Sequence, residues 1–309
     1  MRTQVGLDAA SPPVAGSAVT IGTFDGVHVG HRALIGRAID DAHARGLASV
    51  VLTWDRHPTA TLRPGSEPPL LTSLERKTEL IEELGVDVLV VLAFDTELSR
   101  WPPERFATEV LARRLGARSV WVGQGWRFGH RAAGDVALLA ELGTRLGFQA
   151  RGVALAEVAG GPASSSRTRA AVAGGDLRLA HALLGRPFDL CGTVVPGEGR
   201  GRSLGYPTAN LSVDTTLVRP ARGIYAGEAF FDRRRRKAAV SVGVNPTFGG
   251  DESSATRIEA HLLDFDGDLY ERSMRLAFHR RLRDERRFDS ISALTDQMAA
   301  DVQATEATN

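Results

Sequence analysis

His28 and His31 stand three residues apart where a helical pattern begins, which puts both imidazoles on one face of a first helical turn. Gly30 between them removes a side chain where a ligand could approach the backbone. Upstream, Ala18 to Ile21 is a short apolar run, and Gly22 and Gly26 bracket a turn holding Phe24 and Asp25. Ala33, Leu34, Ala38 and Ile39 then recur at helical spacing. Strand, glycine turn and helix in this order aim free backbone N–H groups at an anion. Two imidazoles beside a positive helix end suit the charge that builds on a phosphate during attack at phosphorus. A zinc pair and two solvated histidines are the competing readings. Zinc needs further ligands, and the chain's one cysteine, Cys191, is distant in sequence.

A second centre spans residues 197 to 210. Gly197, Gly199, Gly201 and Gly205 alternate there with Glu198, Arg200 and Arg202, and the stretch ends Tyr206-Pro207-Thr208-Ala209-Asn210. It lacks the Gly-Lys-Ser/Thr ending of a Walker loop. Its N–H groups could still cradle phosphates, although a flexible basic surface loop fits the composition equally well. Downstream, alternation puts Ile258, Ala260 and Leu262 on one strand face and Glu259 and His261 on the other. A carboxylate facing solvent is the commoner fate of such a Glu. Asp264, Asp266 and Asp268 lack the closing Glu of a calcium loop and read as a tight turn. Arg233 to Lys237 reads as a solvated hairpin tip rather than an RNA site.

Three further segments follow strands or open helices in the first half. Thr53-Trp54-Asp55-Arg56-His57-Pro58 ends an apolar run, where Pro fixes a loop. Gly123 to His130 combines glycines with Trp126, Arg127 and Phe128, which suits a loop that covers a flat ring and meets a phosphate. An aromatic-anchored turn is the plainer reading. Ser164-Ser165-Ser166-Arg167-Thr168-Arg169 opens a helix, and one hydroxyl serves as its cap. Two arginines in the same positive first turn become sensible beside a triphosphate.

The elements that must position these residues fall into two groups. Apolar strands at 18–21, 49–54, 86–92 and 119–122 alternate with helical patterns at 74–84 and 103–115, which predicts a doubly wound parallel sheet. Ligands then sit beyond the carboxyl ends of the strands, where the motifs fall. Asp176 to Leu184 is a capped helix stopped by Gly185 and Pro187, and the domain boundary is placed at 186. Beyond it come short β-prone runs at 189–195, 223–231, 238–244, 257–264 and 274–280, which predict a small antiparallel barrel. A final helix over 290–302, with Ile291, Leu294, Met298 and Val302 on one face, packs on it. Residues 1–17 read as a loose leader, giving a division of 1–17, 18–186 and 187–309. With 38 basic and 37 acidic residues among 309, no global field argues for nucleic acid or membrane. No apolar run is long enough for a transmembrane helix, and the single cysteine fits a reducing cytosol. A homo-oligomer is left open.

Gly22-Thr-Phe-Asp-Gly-Val-His-Val-Gly-His31 resembles the bacterial bifunctional riboflavin kinase/FAD synthetase family, and His-x-Gly-His after a first strand is similar to the nucleotidyltransferases at large. The resemblance continues through His57-Pro58, Arg127-Phe128, Ser164 to Arg169, Gly201 to Asn210, Gly243 to Gly249 and Glu259 to Tyr270. It implies that ATP binds at Gly22, Phe24, Asp25, Gly30, Ser165, Ser166 and Arg169 in an adenylyltransferase domain, with His28 and His31 catalytic. It implies flavin contacts from His57, Pro58, Arg127 and Phe128. In the kinase domain it gives ATP to Gly197, Arg202, Gly205, Pro207, Thr208 and Asn210, with Thr208 and Asn210 on Mg²⁺ and Asn245 positioning the nucleotide. Glu259 is then the base on riboflavin, and the small molecules are riboflavin, FMN, FAD and ATP. Trp54, Arg56, Gly125 and Trp126 depart from the family pattern, which has an Asp or Asn at the position of Gly125. The alternative they leave open is a riboflavin kinase whose first domain is weak, silent or altered in substrate, down to a regulatory flavin- or nucleotide-binding module.

Overall fold

The computed structural model describes residues 1–197, 199, 201, 204–244 and 256–308. It divides into two compact units, Met1–Ser165 and Ser166–Asn309. The first unit holds strands β1 (Arg2–Val5), β2 (Ser17–Ile21), β3 (Ala48–Trp54), β4 (Val88–Leu92), β5 (Ala117–Gly123) and β6 (Gln149–Val153). They form one sheet in the order β1-β4-β3-β2-β5-β6, and every pairing is parallel. Between the strands run α1 (Val29–Arg45), α2 (Pro58–Leu62), α3 (Leu74–Glu82), α4 (Thr96–Ser99), α5 (Pro103–Phe106) with a π-helical continuation over Ala107–Arg114, and α6 (Val136–Leu146). A short hairpin of β7 (Glu157–Val158) and β8 (Gly161–Pro162) closes the unit.

Helices cover both sheet faces, so β2 and β4 are buried along their whole length and read as unbroken apolar runs. Alternate side chains go to opposite cores. Val50 and Leu52 join Val120, Leu111 and Leu139, while Val51 joins Leu89, Ile35 and Ile81. The chain leaves β2 toward β3 and β4 on one side, then returns to β5 on the other. The carboxyl ends of β2 and β5 thus flank the point where strand order reverses, which is where such sheets bind ligands. The expected leader at 1–17 is replaced by β1, paired from Arg2 with Val88 to Val5 with Val91. Arg2-Thr-Gln-Val5 carries no apolar pattern, and only its backbone hydrogen bonds mark it as a strand.

The second unit begins with α7 (Ser165–Ala173) and α8 (Leu177–Leu184), ahead of the expected boundary at 186. Val172 O accepts from Ala221 N, and His181 Nε2 donates to Phe278 O at 2.8 Å, tying both helices to the barrel. The barrel strands are β9 (Phe188–Val195), β10 (Ala209–Ser212), β11 (Gly223–Phe231), β12 (Arg234–Val244), β13 (Thr256–Leu262) and β14 (Ser273–Arg283). They close in the order β10-β13-β12-β11-β14-β9, antiparallel throughout. Phe188, Tyr225, Val240, Ile258 and Phe278 fill the interior. The basic run departs from expectation. Asp232 and Arg233, at φ 46° and 61°, make the turn, and Arg234 to Lys237 belong to β12. The last helix, α9 (Ile291–Glu306), is capped by Ser290 Oγ, which accepts from Ala293 N at 3.1 Å. Ile291 is exposed at its start, whereas Leu294, Met298 and Val302 line a cavity. Arg283 on β14 holds the buried Asp301 of α9 through Nε and Nη2, at 2.7–3.2 Å.

Candidate active sites

His28 has extended backbone (φ −67°, ψ 171°) and caps α1, its Nδ1 accepting from His31 N at 3.3 Å. An accepting Nδ1 puts the proton of the neutral ring on Nε2. The two imidazoles stack with centroids 3.5 Å apart, and Phe24 meets His31 edge-on at 5.2 Å. A Cβ at Gly30 would lie 3.2 Å from the His28 ring and 3.4 Å from Ala163 O, so glycine permits this closeness. Burial lowers His28 to about 4, against a smaller upward effect of its backbone hydrogen bond. Burial also pushes His31 well below the ordinary imidazole value, and positive charge on His28 and Lys77 adds to this. Both rings are therefore neutral at pH 7. They offer N–H dipoles instead of standing positive charge.

Because the unfolded chain takes up protons near pH 6.5 and folded His28 only near 4, stability is full above 6.5 and falls as pH drops through that window. The His28 share is about 3 kcal/mol. His28→Asn keeps a capping acceptor and removes the titration. Thermal unfolding of the first unit followed from pH 7 to 4 is expected to show a flatter decline in this variant, and an unchanged slope would contradict the assignment.

Phe24 and Asp25 both lie inside the turn. Phe24, in the left-handed region (φ 49°, ψ 31°), is fully buried beneath His31. Asp25 is buried, and its Oδ1 accepts from Leu71 N at 2.8 Å and Thr72 N at 3.3 Å. Both shape the loop. Lys77 went unnoticed in the sequence, although its place three residues from Leu74 and Leu80 put it on the inner face of α3. It is buried, and Nζ donates to Thr23 O, Thr53 Oγ1 and Trp54 O at 3.1–3.2 Å, drawing the carboxyl ends of β2 and β3 together. Burial lowers its ammonium to about 8.

Ser165 Oγ donates to Asp25 O at 3.0 Å, beside the histidine turn. One turn along α7, Arg169 Nη1 donates to Ser166 Oγ at 3.4 Å. Gly22 stands at the end of β2, where a Cβ would meet the Phe24 ring at 3.0 Å. His57 caps α2, with Nδ1 accepting from Thr59 N and Pro58 following at the first helical position. Arg127 is exposed and reaches Ala132 O at 3.1 Å and Asp135 at 3.4 Å. Phe128 is buried against Phe106, and half-buried Trp126 stacks over it at 4.7 Å. Trp54 is absorbed into the core against Phe94 and Phe106. Gly125 is exposed, its φ is not positive, and a Cβ there meets nothing within 4 Å. An amide therefore fits without strain. The resemblance to the FAD synthetases implies that Gly125→Asn lowers the KM for FMN in FAD formation by about tenfold, the scale of a hydrogen bond to a charged group. Initial rates over a range of FMN concentrations test it, and an unchanged KM would show that this position lies off the flavin path.

In the barrel, β10 and β13 pair Asn210 with Glu259, and β12 and β13 pair Ser241 with Glu259. Neighbours across strands share a face, so the three side chains form one row. Arg257 Nε lies 3.6 Å from Glu259 Oε1. Glu259 lines a cavity of about 450 Å³ together with Thr208, Arg257, Phe288 and Met298. A second cavity of about 700 Å³ has Pro207, Thr208, Asp266, Asp268 and Tyr270 on its walls. Thr208 belongs to both. A Cβ at Gly197 would fall 2.0 Å from Asn210 Nδ2, so a larger residue there would displace the Asn210 side chain. Gly205 turns the chain at φ +84°, and Gly201 O accepts from Tyr206 N at 2.8 Å. Arg202 and Asn245 lie outside the described residues. Among the described residues no group of three His, Cys, Asp or Glu could hold a metal. The Thr208 hydroxyl and Asn210 amide are hard oxygen donors, which fit a magnesium ion that keeps waters and phosphate oxygens as its other ligands.

A FAD synthetase family model matches residues 11–167, and a riboflavin kinase family model matches residues 184–309. A bifunctional riboflavin kinase/FMN adenylyltransferase of Pseudomonas fluorescens is 36% identical over 99% of this chain and 97% of its own. This chain belongs to the bifunctional riboflavin kinase/FMN adenylyltransferase family. The Escherichia coli K12 member is 34% identical over 94% of this chain and 91% of its own. A crystal structure named as a macrolide-efflux protein from Streptococcus pneumoniae superposes with a TM-score of 0.90 at 29% identity, covering 100% of both chains. Among the described residues no helix is long and apolar enough to cross a membrane. Likeness to the bifunctional enzymes runs through both units, so a silent first unit is not favoured.

Proposed function

We propose that the barrel phosphorylates riboflavin to FMN with ATP, and that the parallel-sheet unit adenylylates FMN to FAD with release of pyrophosphate. The observation that carries this is the carboxylate of Glu259, in register with Asn210 and lining the same cavity as Thr208. The first cavity suits the vitamin, because Phe288, Leu294 and Met298 offer an apolar wall for a flat ring and Glu259 stands at its polar side. The second cavity, with Thr208 shared, suits the nucleotide. Glu259 takes the proton of the 5′-hydroxyl as that oxygen bonds the γ-phosphorus, and the bond to the bridging oxygen breaks to leave ADP. Thr208 and Asn210 would hold Mg²⁺, which when bound neutralises the phosphate charge. In the first unit a phosphate oxygen of FMN attacks the α-phosphorus of ATP. Such transfer rests on placement and charge stabilisation, which α1's N-terminus and the neutral His28–His31 pair supply.

Incubation with riboflavin, ATP and Mg²⁺ followed by separation of the flavins tests both steps. FMN and FAD together are the expected products. FMN alone would leave the first unit without the second reaction, and an unphosphorylated vitamin would reject the reading.

A further inference from the structure

His261 is a side chain that neither reaction step uses. It lies two residues beyond Glu259 on β13, so both point to the same face, and both line the 450 Å³ cavity. Across from it on β12 is Ala239, whose small side chain leaves it room. His261 Nδ1 is 2.8 Å from Pro207 O. A carbonyl oxygen only accepts, so the proton sits on Nδ1. The Tyr206 ring packs on the imidazole edge-on, with centroids 5.3 Å apart. One imidazole thus holds the two residues that precede Thr208.

The backbone explains why a side chain is needed there. β10 pairs with β13 only at Ala209 with Ala260 and Asn210 with Glu259. Continued one step, the ladder would set Thr208 opposite His261, but β10 begins at Ala209 and Pro207 has no N–H to extend it. The imidazole N–H bonds the chain where the ladder stops. We propose that His261 is a positioning residue for phosphoryl transfer, fixing the Pro207–Thr208 peptide against the strand that carries Glu259. The Thr208 hydroxyl and the base then keep a constant relation across the wall between the two cavities. This rests on the riboflavin kinase reading of the barrel.

The test compares His261→Leu, which removes the donor, with His261→Asn, whose amide N–H sits close to where Nδ1–H does. The leucine variant is expected to lose about 10- to 100-fold in kcat/KM for ATP in FMN formation, the scale of a small misplacement of reacting groups. The asparagine variant is expected within about threefold of the unaltered protein, since it restores the bond. FAD formation from supplied FMN stays level in both. Nitrogen-15 spectra of the unaltered protein, with the His261 signals assigned by their absence in the asparagine variant, are expected to show the Nδ1–H form. A leucine variant as active as the parent, an asparagine variant closer to leucine than to the parent, or an Nε2–H ring would each overturn the proposal. The ring spectrum decides it alone if the leucine variant does not fold. Failure of the unaltered protein to make FMN would instead overturn the kinase reading.

Discussion

Glu259→Gln is expected to lower FMN formation from riboflavin by a factor of about 10²–10⁴, the usual range for loss of a general base. Glutamine keeps the shape of the side chain and its place in the row with Asn210 and Ser241. It cannot take the proton of the attacking hydroxyl. The loss therefore belongs in kcat, with KM for riboflavin little changed, because ground-state contacts survive. One complication is the Arg257 guanidinium 3.6 Å from Glu259 Oε1, which loses its ionic partner. At 3.6 Å the contact is longer than a charge-assisted hydrogen bond, so its loss is small beside that of the base. FAD formation from supplied FMN provides an internal control, since it uses the other unit. Equal losses in both reactions would mean that Glu259 is structural, and full kinase activity would remove it from the chemistry.

The parallel sheet was legible because strands covered on both faces are continuous apolar runs, and Val88–Leu92, short and rich in β-branched Val, is one of them. β1 and β6 were not. Arg2–Val5 and Gln149–Val153 sit at the two edges of the sheet and carry charged or polar residues, so hydrogen bonding defines them and hydropathy does not. β10 was hidden for a related reason. Its four residues continue a glycine-rich motif, and the register that brings Asn210 to Glu259 is a tertiary fact with no local signature. In the closed barrel the alternation at Ile258, Ala260 and Leu262 identified the inner face, and the partly buried face of Glu259 and His261 followed from it.

Within the sites, spacing located the histidine pair but said nothing of their charge. Neutrality comes from burial, to which the Phe24 ring packed on His31 contributes, and from Lys77, which is distant in sequence. Phe24, Asp25 and Phe128 illustrate the limit of motif reading. Each belongs to a stretch that resembles the family's binding segments, and each is buried, a placement that no local spacing announces. Trp54 departs from the family pattern for a packing reason, since the larger ring fills space between Phe94 and Phe106.

His28→Ala is expected to reduce FAD formation from FMN by about 10²–10³-fold, the scale on which removing one donor to a developing charge acts. It also deletes a helix cap, which costs about 1 kcal/mol. The two effects separate in His28→Asn, which can accept from His31 N as Nδ1 does but lacks a ring to stack at 3.5 Å and an Nε2–H to donate. If His28 acts on the phosphates, the asparagine variant remains as stable as the parent at pH 7 and is nearly as inactive as alanine. If capping is its whole function, asparagine restores activity. His31 provides the complementary case, because its Nδ1 is buried and makes no hydrogen bond among the described residues. A buried ring nitrogen without a partner is costly unless a ligand completes it. Replacing His31 by Leu is therefore expected to raise the unfolding midpoint of the first unit slightly while abolishing FAD formation to the same degree as the His28 variants. FMN formation in every one of these proteins stays at the parent level. A His31→Leu protein that is less stable yet fully able to make FAD would show that the stacked pair is architecture, and the phosphate chemistry would then have to come from the turn and helix N–H groups alone.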